Sequence, residues 1–228
     1  AQETDVKHAV MYQPEQSWNY EAGIQNTFLD RKLRTSLTLF YMDIKGLQLT
    51  EFVTSGAGRK LTNAGTAVSK GLEVSADMKL TPELNAGLSY GYAHASFKNY
   101  TQVETVNGQS VEVDYSGKFV PYAPQHTANV YLNYTKKLEN SFITELYGTL
   151  SYSGIGKIYW QDSNEISEDF YSLADAVVGV KKNAFGLELW GKNLLNTSYN
   201  AFYFESFGNK FFQQGKPLQV GARLTLEI

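Results

Sequence analysis

"GLEVSADMKL" at residues 71–80 alternates strictly between two kinds of side chain. Leu72, Val74, Ala76, Met78 and Leu80 are apolar, while Gly71, Glu73, Ser75, Asp77 and Lys79 are small, polar or charged. Successive side chains of a β-strand point to opposite faces, so this segment builds one apolar face and one wet face. In a soluble sheet the apolar face turns inward onto a core. In a membrane barrel it turns outward onto lipid, and the wet face lines the interior. The choice between the two decides the fold.

The same alternation recurs along most of the chain and predicts nine strands. They are marked by Trp18–Phe28, Leu33–Tyr41, Gly71–Leu80, Leu84–Tyr92, Ala128–Tyr134, Phe142–Tyr152, Ala176–Val180, Phe185–Leu189 and Leu218–Ile228. A further short strand near Val6–Tyr12 would make ten. No comparable stretch has a helical period. The connections "DRK" (30–32), "TPE" (81–83), "EN" (139–140) and "KNA" (182–184) carry turn residues and are short. The other connections, roughly 54–66, 98–125, 153–169 and 195–216, are long. Short and long alternate, so one end of the sheet is trimmed and the other bears large loops.

Composition sets outer limits. The 228 residues suffice for one domain, and the net charge of −3 gives no basis for nucleic-acid binding. With no cysteine, disulfides and thiolate metal sites are excluded. Aromatic residues are abundant, led by 16 Tyr and 13 Phe. No run approaches the ~18 apolar residues of a membrane helix.

Alternation alone fits a long-stranded soluble sheet equally well. Strand length and loop asymmetry favour the barrel, because many segments reach the ten or so residues that cross a bilayer when tilted. Trp18, Tyr92, Tyr134 and Tyr152 lie near strand ends, where an aromatic girdle would sit. With Leu218, Val220, Ala222, Leu224 and Leu226 on lipid, Arg223 and Glu227 face a polar interior. A one-residue slip would turn Arg223 toward hydrocarbon at roughly 2–4 kcal/mol near the midplane.

Particular motifs now resemble a family. "PEQSWNYEAG" opening residues 14–48, "TNAGTAVSKGLEVSADMKL" (62–80), "VPYAPQHTANVYLNY" (120–134), "LWGKNLLNTSY" (189–199) and "GKPLQVGARLTLEI" (215–228) are similar, in order, to signatures of TonB-dependent outer-membrane receptors. The resemblance covers nearly the whole chain. It implies an all-β, transmembrane antiparallel up-and-down β-barrel with short periplasmic turns and long extracellular loops. Residues 1–228 would be the C-terminal part of it, about nine to ten strands of a 22-stranded barrel. The plug domain and TonB box are absent from this chain, and its partners would be that plug, the remaining strands of the same receptor, the TonB complex and outer-membrane lipid. The implied function is uptake of a ferric siderophore or similar small-molecule metal complex across the outer membrane of a Gram-negative bacterium, without cofactor or chemical step. Ile228 departs from the aromatic residue that usually ends the family's chains.

Motifs for chemistry read otherwise. "GLSYG" (87–91) formally matches the hydrolase nucleophile elbow, but Ser89 lies mid-strand and His94 faces the opposite side. His8, His94 and His126 have no metal-ligand spacing, and "SGAGRK" (55–60) lacks the ending of a phosphate loop. The candidate ligand-binding residues are aromatics in the long loops: Tyr159, Trp160, Tyr199, Tyr203, Phe204, Phe211 and Phe212. Such a cluster suits planar or apolar ligands, against the plainer reading that its rings pack on one another. Arg59 and Lys60 lie where they would steer an anionic ligand. Rival functions are a passive porin or small self-contained barrel, an outer-membrane phospholipase-like enzyme, and a soluble β-sheet binding module.

Overall fold

The structure, a computed structural model, describes residues 13–52, 59–63, 65–106, 109–139, 141–206 and 209–227. The expected strand near Val6–Tyr12 and the terminal Ile228 lie outside the described residues. In chain order the strands are β1 (Gln16–Phe28), β2 (Leu33–Lys45), β3 (Gln48–Phe52), β4 (Arg59–Asn63), β5 (Thr66–Lys79) and β6 (Leu84–Asn99). Next come β7 (Thr101–Val106), β8 (Gln109–Asp114), β9 (His126–Lys137), β10 (Glu145–Ile155), β11 (Ile158–Tyr159) and β12 (Ser167–Glu168). The last are β13 (Tyr171–Lys182), β14 (Phe185–Lys192), β15 (Asn200–Ser206), β16 (Asn209–Gln214) and β17 (Gln219–Leu226).

Nine of these form one antiparallel sheet in the order β1-β2-β5-β6-β9-β10-β13-β14-β17. All nine strands expected from the alternation are present, and neighbours in sequence are neighbours in the sheet. The short turns are where turn chemistry puts them. Asp30 and Asn183 adopt the left-handed backbone, with φ of 51° and 52°, a conformation that Asn and Asp tolerate better than other side chains.

Two details differ from the sequence reading. The four long connections are not open loops. Each carries a two-stranded ribbon: β3–β4, β7–β8, β11–β12 and β15–β16. Phe142, expected in the sixth strand, precedes it and is 76% exposed. Pairing of β10 begins only at Glu145, opposite Lys137 and Lys181.

Register aligns the faces across the whole sheet. Ile24 lies opposite Leu37, Leu37 opposite Val74, and Val74 opposite Tyr90. Farther along, Leu88 lies opposite Val130 and Val130 opposite Tyr152. Val180, Leu187 and Leu224 continue the band to the far edge. No second protein layer covers it among the described residues: Val74, Leu88, Leu189 and Leu224 are all exposed. Apolar side chains left bare along every strand are what a lipid-facing wall requires.

The opposite face is polar and internally bonded. The Tyr131 hydroxyl donates to Asp77 Oδ1 at 2.5 Å, and Arg223 pairs with Glu188 at 3.0 Å. Ser36 bonds Ser75 at 2.7 Å, and Thr149 donates to Asn133 at 2.9 Å. Here aromatic rings lie over glycines on the adjacent strand. A Cβ on Gly87 would fall 2.1 Å from the Tyr131 ring, one on Gly179 2.2 Å from Tyr147, and one on Gly221 2.4 Å from Trp190. Each pair is directly opposite in the register.

Well-buried apolar side chains gather at the loop end. Ala67, Phe97, Tyr100 and Tyr115 form one cluster, and Ile158, Trp160 and Tyr203 form another. Leu88 and Ser89 are adjacent residues on opposite faces of β6. Leu88→Arg is expected to destabilise the protein by roughly 2–4 kcal/mol. Ser89→Arg is expected to stay within about 0.5 kcal/mol. Guanidinium unfolding in phospholipid vesicles measures both, and equal costs would mean the faces are assigned wrongly.

Candidate functional site

The sequence motifs sit where wall strands hand over to the outer ribbons, and hydrogen bonding explains their residue types. Asn63 accepts from the Gln13 N–H at 2.8 Å and donates to the Gln13 and Gly46 carbonyls at 3.0 and 2.7 Å. Gly65 follows with φ of +41°, and a Cβ there would come within 1.9 Å of the Asn99 carbonyl oxygen. Glu15 accepts from the Gln48 N–H at 2.9 Å. At the other side Asn193, only 4% exposed, accepts from the Thr197 N–H at 2.9 Å and donates to the Thr197 and Lys216 carbonyls at 2.9 and 3.0 Å. Tyr199 stacks on Tyr171 with centroids 4.3 Å apart and packs over Gly215.

These junctions hold the four ribbons around a cavity of about 1060 Å³ at the loop end. Gln48 and Leu49 line it from β3, Gln102 and Asp114 from β7 and β8, Trp160 to Ser163 from the β11–β12 connection, and Tyr203 to Glu205 with Lys210 from β15 and β16. Asn164 fixes the 161–164 turn: it accepts from the Phe119 N–H at 2.6 Å and donates to the Phe119 and Gln161 carbonyls. The Tyr122 hydroxyl donates to the Tyr203 carbonyl at 2.9 Å, and Tyr100 donates to Asp162 at 3.0 Å.

The wall of the cavity is more polar than an aromatic cluster suggests. Tyr203 and Gln161 both donate to the Glu205 carboxylate. Burial, with the Glu205 hydrogen bond and charge, pushes the Tyr203 phenol well above its usual range, so it stays a neutral donor. Hydrogen bonds from the Ser116 side chain and backbone hold the Asp114 carboxyl below its usual range. Trp160 Nε1 and Gln161 Oε1 are buried and have no hydrogen-bond partner among the described residues. Among those residues no three His, Asp or Glu side chains gather as a metal-binding set.

The seven aromatic candidates divide. Trp160, Tyr203 and Phe204 line the cavity, with Trp160 and Tyr203 themselves buried. Tyr159 stacks on Phe119 at 5.3 Å, away from the cavity lining, and Tyr199 serves the junction. Phe211 stacks on Phe204 at 5.0 Å and Phe212 packs on Tyr203 at 4.8 Å, each still half exposed. Phe207 lies outside the described residues, and the side chains of Arg59 and Lys60 are not described. Sequence reasoning missed Gln161, Asp114, Glu205 and Lys210 as lining residues. Being polar in stretches read as loops, they carry no signal that separates a cavity wall from a solvated surface.

Comparison with known proteins adds the lineage. The family model "TonB dependent receptor-like, beta-barrel" matches residues 10–194. The pesticin receptor of Yersinia pestis is 23% identical over 221 residues, covering 94% of this chain and 29% of the receptor. The crystal structure of the ferric yersiniabactin uptake receptor FyuA from Yersinia pestis superposes with a TM-score of 0.74 at 21% identity, over 93% of this chain and 30% of that one. The siderophore receptor PiuA from Acinetobacter baumannii gives 0.72 at 18% identity, over 95% of this chain and 29% of that one. The chain therefore spans under a third of the length of the relatives it matches.

Asn193→Ala removes bonds to three backbone groups beside a buried side chain. It is expected to destabilise the fold by roughly 1–3 kcal/mol, read as a lowered midpoint of heat-modifiable mobility in detergent. An unchanged midpoint would mean that water replaces those bonds without cost.

Proposed function

Because the chain belongs to the TonB-dependent receptor β-barrel family, a family of outer-membrane proteins, we propose that it is the C-terminal part of the barrel of an active-transport receptor for a ferric siderophore or similar scarce metal complex. The work is transport, with no chemical step. Loop ribbons capture the ligand, the polar wall face borders its route, and a plug domain elsewhere in the receptor gates that route and couples it to TonB.

The observation that carries this reading is the cavity of about 1060 Å³ framed by all four outer ribbons. Its volume is at the upper end of the range for small-ligand sites. Capture falls first to Trp160, Tyr203 and Phe204, whose rings are in or beside the lining, with Gln161 and Lys210 supplying polar contacts. Tyr159, Tyr199, Phe211 and Phe212 act behind them by holding the rings and the junctions. An aromatic wall with a few oriented polar groups suits a flat, partly apolar chelate, and the acidic residues favour one that is not strongly anionic.

The test uses the full-length receptor expressed in a host lacking its own siderophore uptake. Ferric yersiniabactin, the ligand named for the Yersinia pestis neighbour, is the first probe, followed by ferric catecholate and hydroxamate chelates. One of them is expected to bind and to support growth on low iron, with growth abolished when TonB is deleted. Phe204→Ala is expected to weaken binding about tenfold, or about 1.4 kcal/mol, without loss of the folded barrel. Uptake that persists without TonB would instead mean a passive pore.

A further inference from the structure

A second cavity lies at the opposite end of the wall, on the outward face. It has a volume of about 550 Å³ and is lined by Phe142, Val180, Phe185, Leu187, Leu224 and Leu226, among others. Val180, Leu187 and Leu224 are successive partners across β13, β14 and β17, so they form a floor three strands wide. Phe142, displaced from β10 into the preceding turn, stands at the rim.

One charge is fixed at this slot. Lys182 is the last residue of β13 and shares the outward face with Val178 and Val180. Its Nζ sits 3.1 Å from the centroid of the Phe142 ring, a cation–π contact that holds the ammonium in place. The adjacent Lys181 points the other way and pairs with Glu227 at 3.4 Å. Among the described residues no carboxylate neutralises Lys182 in the same manner.

We infer that this slot binds an anionic phospholipid of the periplasmic leaflet. An acyl chain lies along Val180, Leu187 and Leu224, and the headgroup phosphate meets the Lys182 ammonium. On the proposed reading of the chain as part of an outer-membrane barrel, the tight-turn end lies at the periplasmic headgroups. An apolar trough ending in an immobilised cation at that depth complements a lipid chain ending in a phosphodiester. An anionic headgroup is favoured over phosphatidylethanolamine because it brings no ammonium of its own to repel Lys182. Phe142 has two tasks here, closing the trough and aiming the lysine.

The experiment takes the full-length receptor from vesicles of phosphatidylethanolamine and phosphatidylglycerol, and counts retained lipid by native mass spectrometry. The wild type is expected to retain phosphatidylglycerol preferentially. Lys182→Gln is expected to lower that retention about fivefold, the size of one lysine's attraction to an anionic surface, and Lys182→Arg to restore it. Leu224→Trp fills the trough and is expected to lower retention with the charge intact, while Lys181→Gln leaves it unchanged. Heat-modifiable mobility of the same samples reports whether the barrel has folded into the bilayer, which keeps a failure of the family reading distinct. A folded receptor that holds both lipids equally, or that retains phosphatidylglycerol equally well as Lys182→Gln, overturns the inference. So does a receptor dimer found in place of the lipid adduct.

Discussion

Backbone hydrogen bonding in a medium without water is the constraint on which this structure depends. Inside hydrocarbon each unpaired N–H or C=O costs several kcal/mol, so only structures that pair all of them can cross. The nine-stranded ladder does this for its interior strands, each paired on both sides. Once pairing is satisfied by neighbours, the side chains are free to divide by face, apolar outward and polar inward. Among the described residues, the outer strands β1 and β17 each leave one edge unpaired. An edge in lipid needs another strand, which fits a chain spanning under a third of the relatives it matches.

The inward face shows a second consequence of the same geometry. A polar wall still has to be packed, and here tyrosine and tryptophan rings lie over glycines of the next strand. Gly87, Gly179 and Gly221 have no room for a Cβ beneath Tyr131, Tyr147 and Trp190. Each ring covers backbone that a glycine leaves bare. The hydroxyls of Tyr131 and Tyr147 reach across to Asp77 and Glu188. These pairs pack the polar face and tie neighbouring strands together through their side chains.

Side-chain burial concentrates where the ladder ends. The wall strands are held mainly by backbone pairing, whereas the ribbons at the loop end pack on one another around Phe97, Tyr100 and Tyr203. The junction asparagines Asn63 and Asn193 tie backbone segments that no ladder reaches. That division gives the molecule a wall built on backbone pairing and a loop end built on side-chain packing.

The amino-acid sequence by itself determined the nine wall strands, their order, the faces and the turns. All of these follow from a period of two and from short-range turn chemistry, which are local properties of the chain. It also contained a hairpin signal that the loop reading passed over: Asn107-Gly108 lies between the β7 and β8 segments. Only the tertiary structure decided which loop residues meet. Trp160, Gln161 and Glu205 are brought to one cavity by contacts between ribbons more than forty residues apart. The slot beside Lys182 likewise exists only because β13, β14 and β17 align and the turn before β10 brings Phe142 over the lysine. A strand's face repeats every second residue and can be read in a line of letters. A cavity is a relation between distant segments, and no local pattern encodes it.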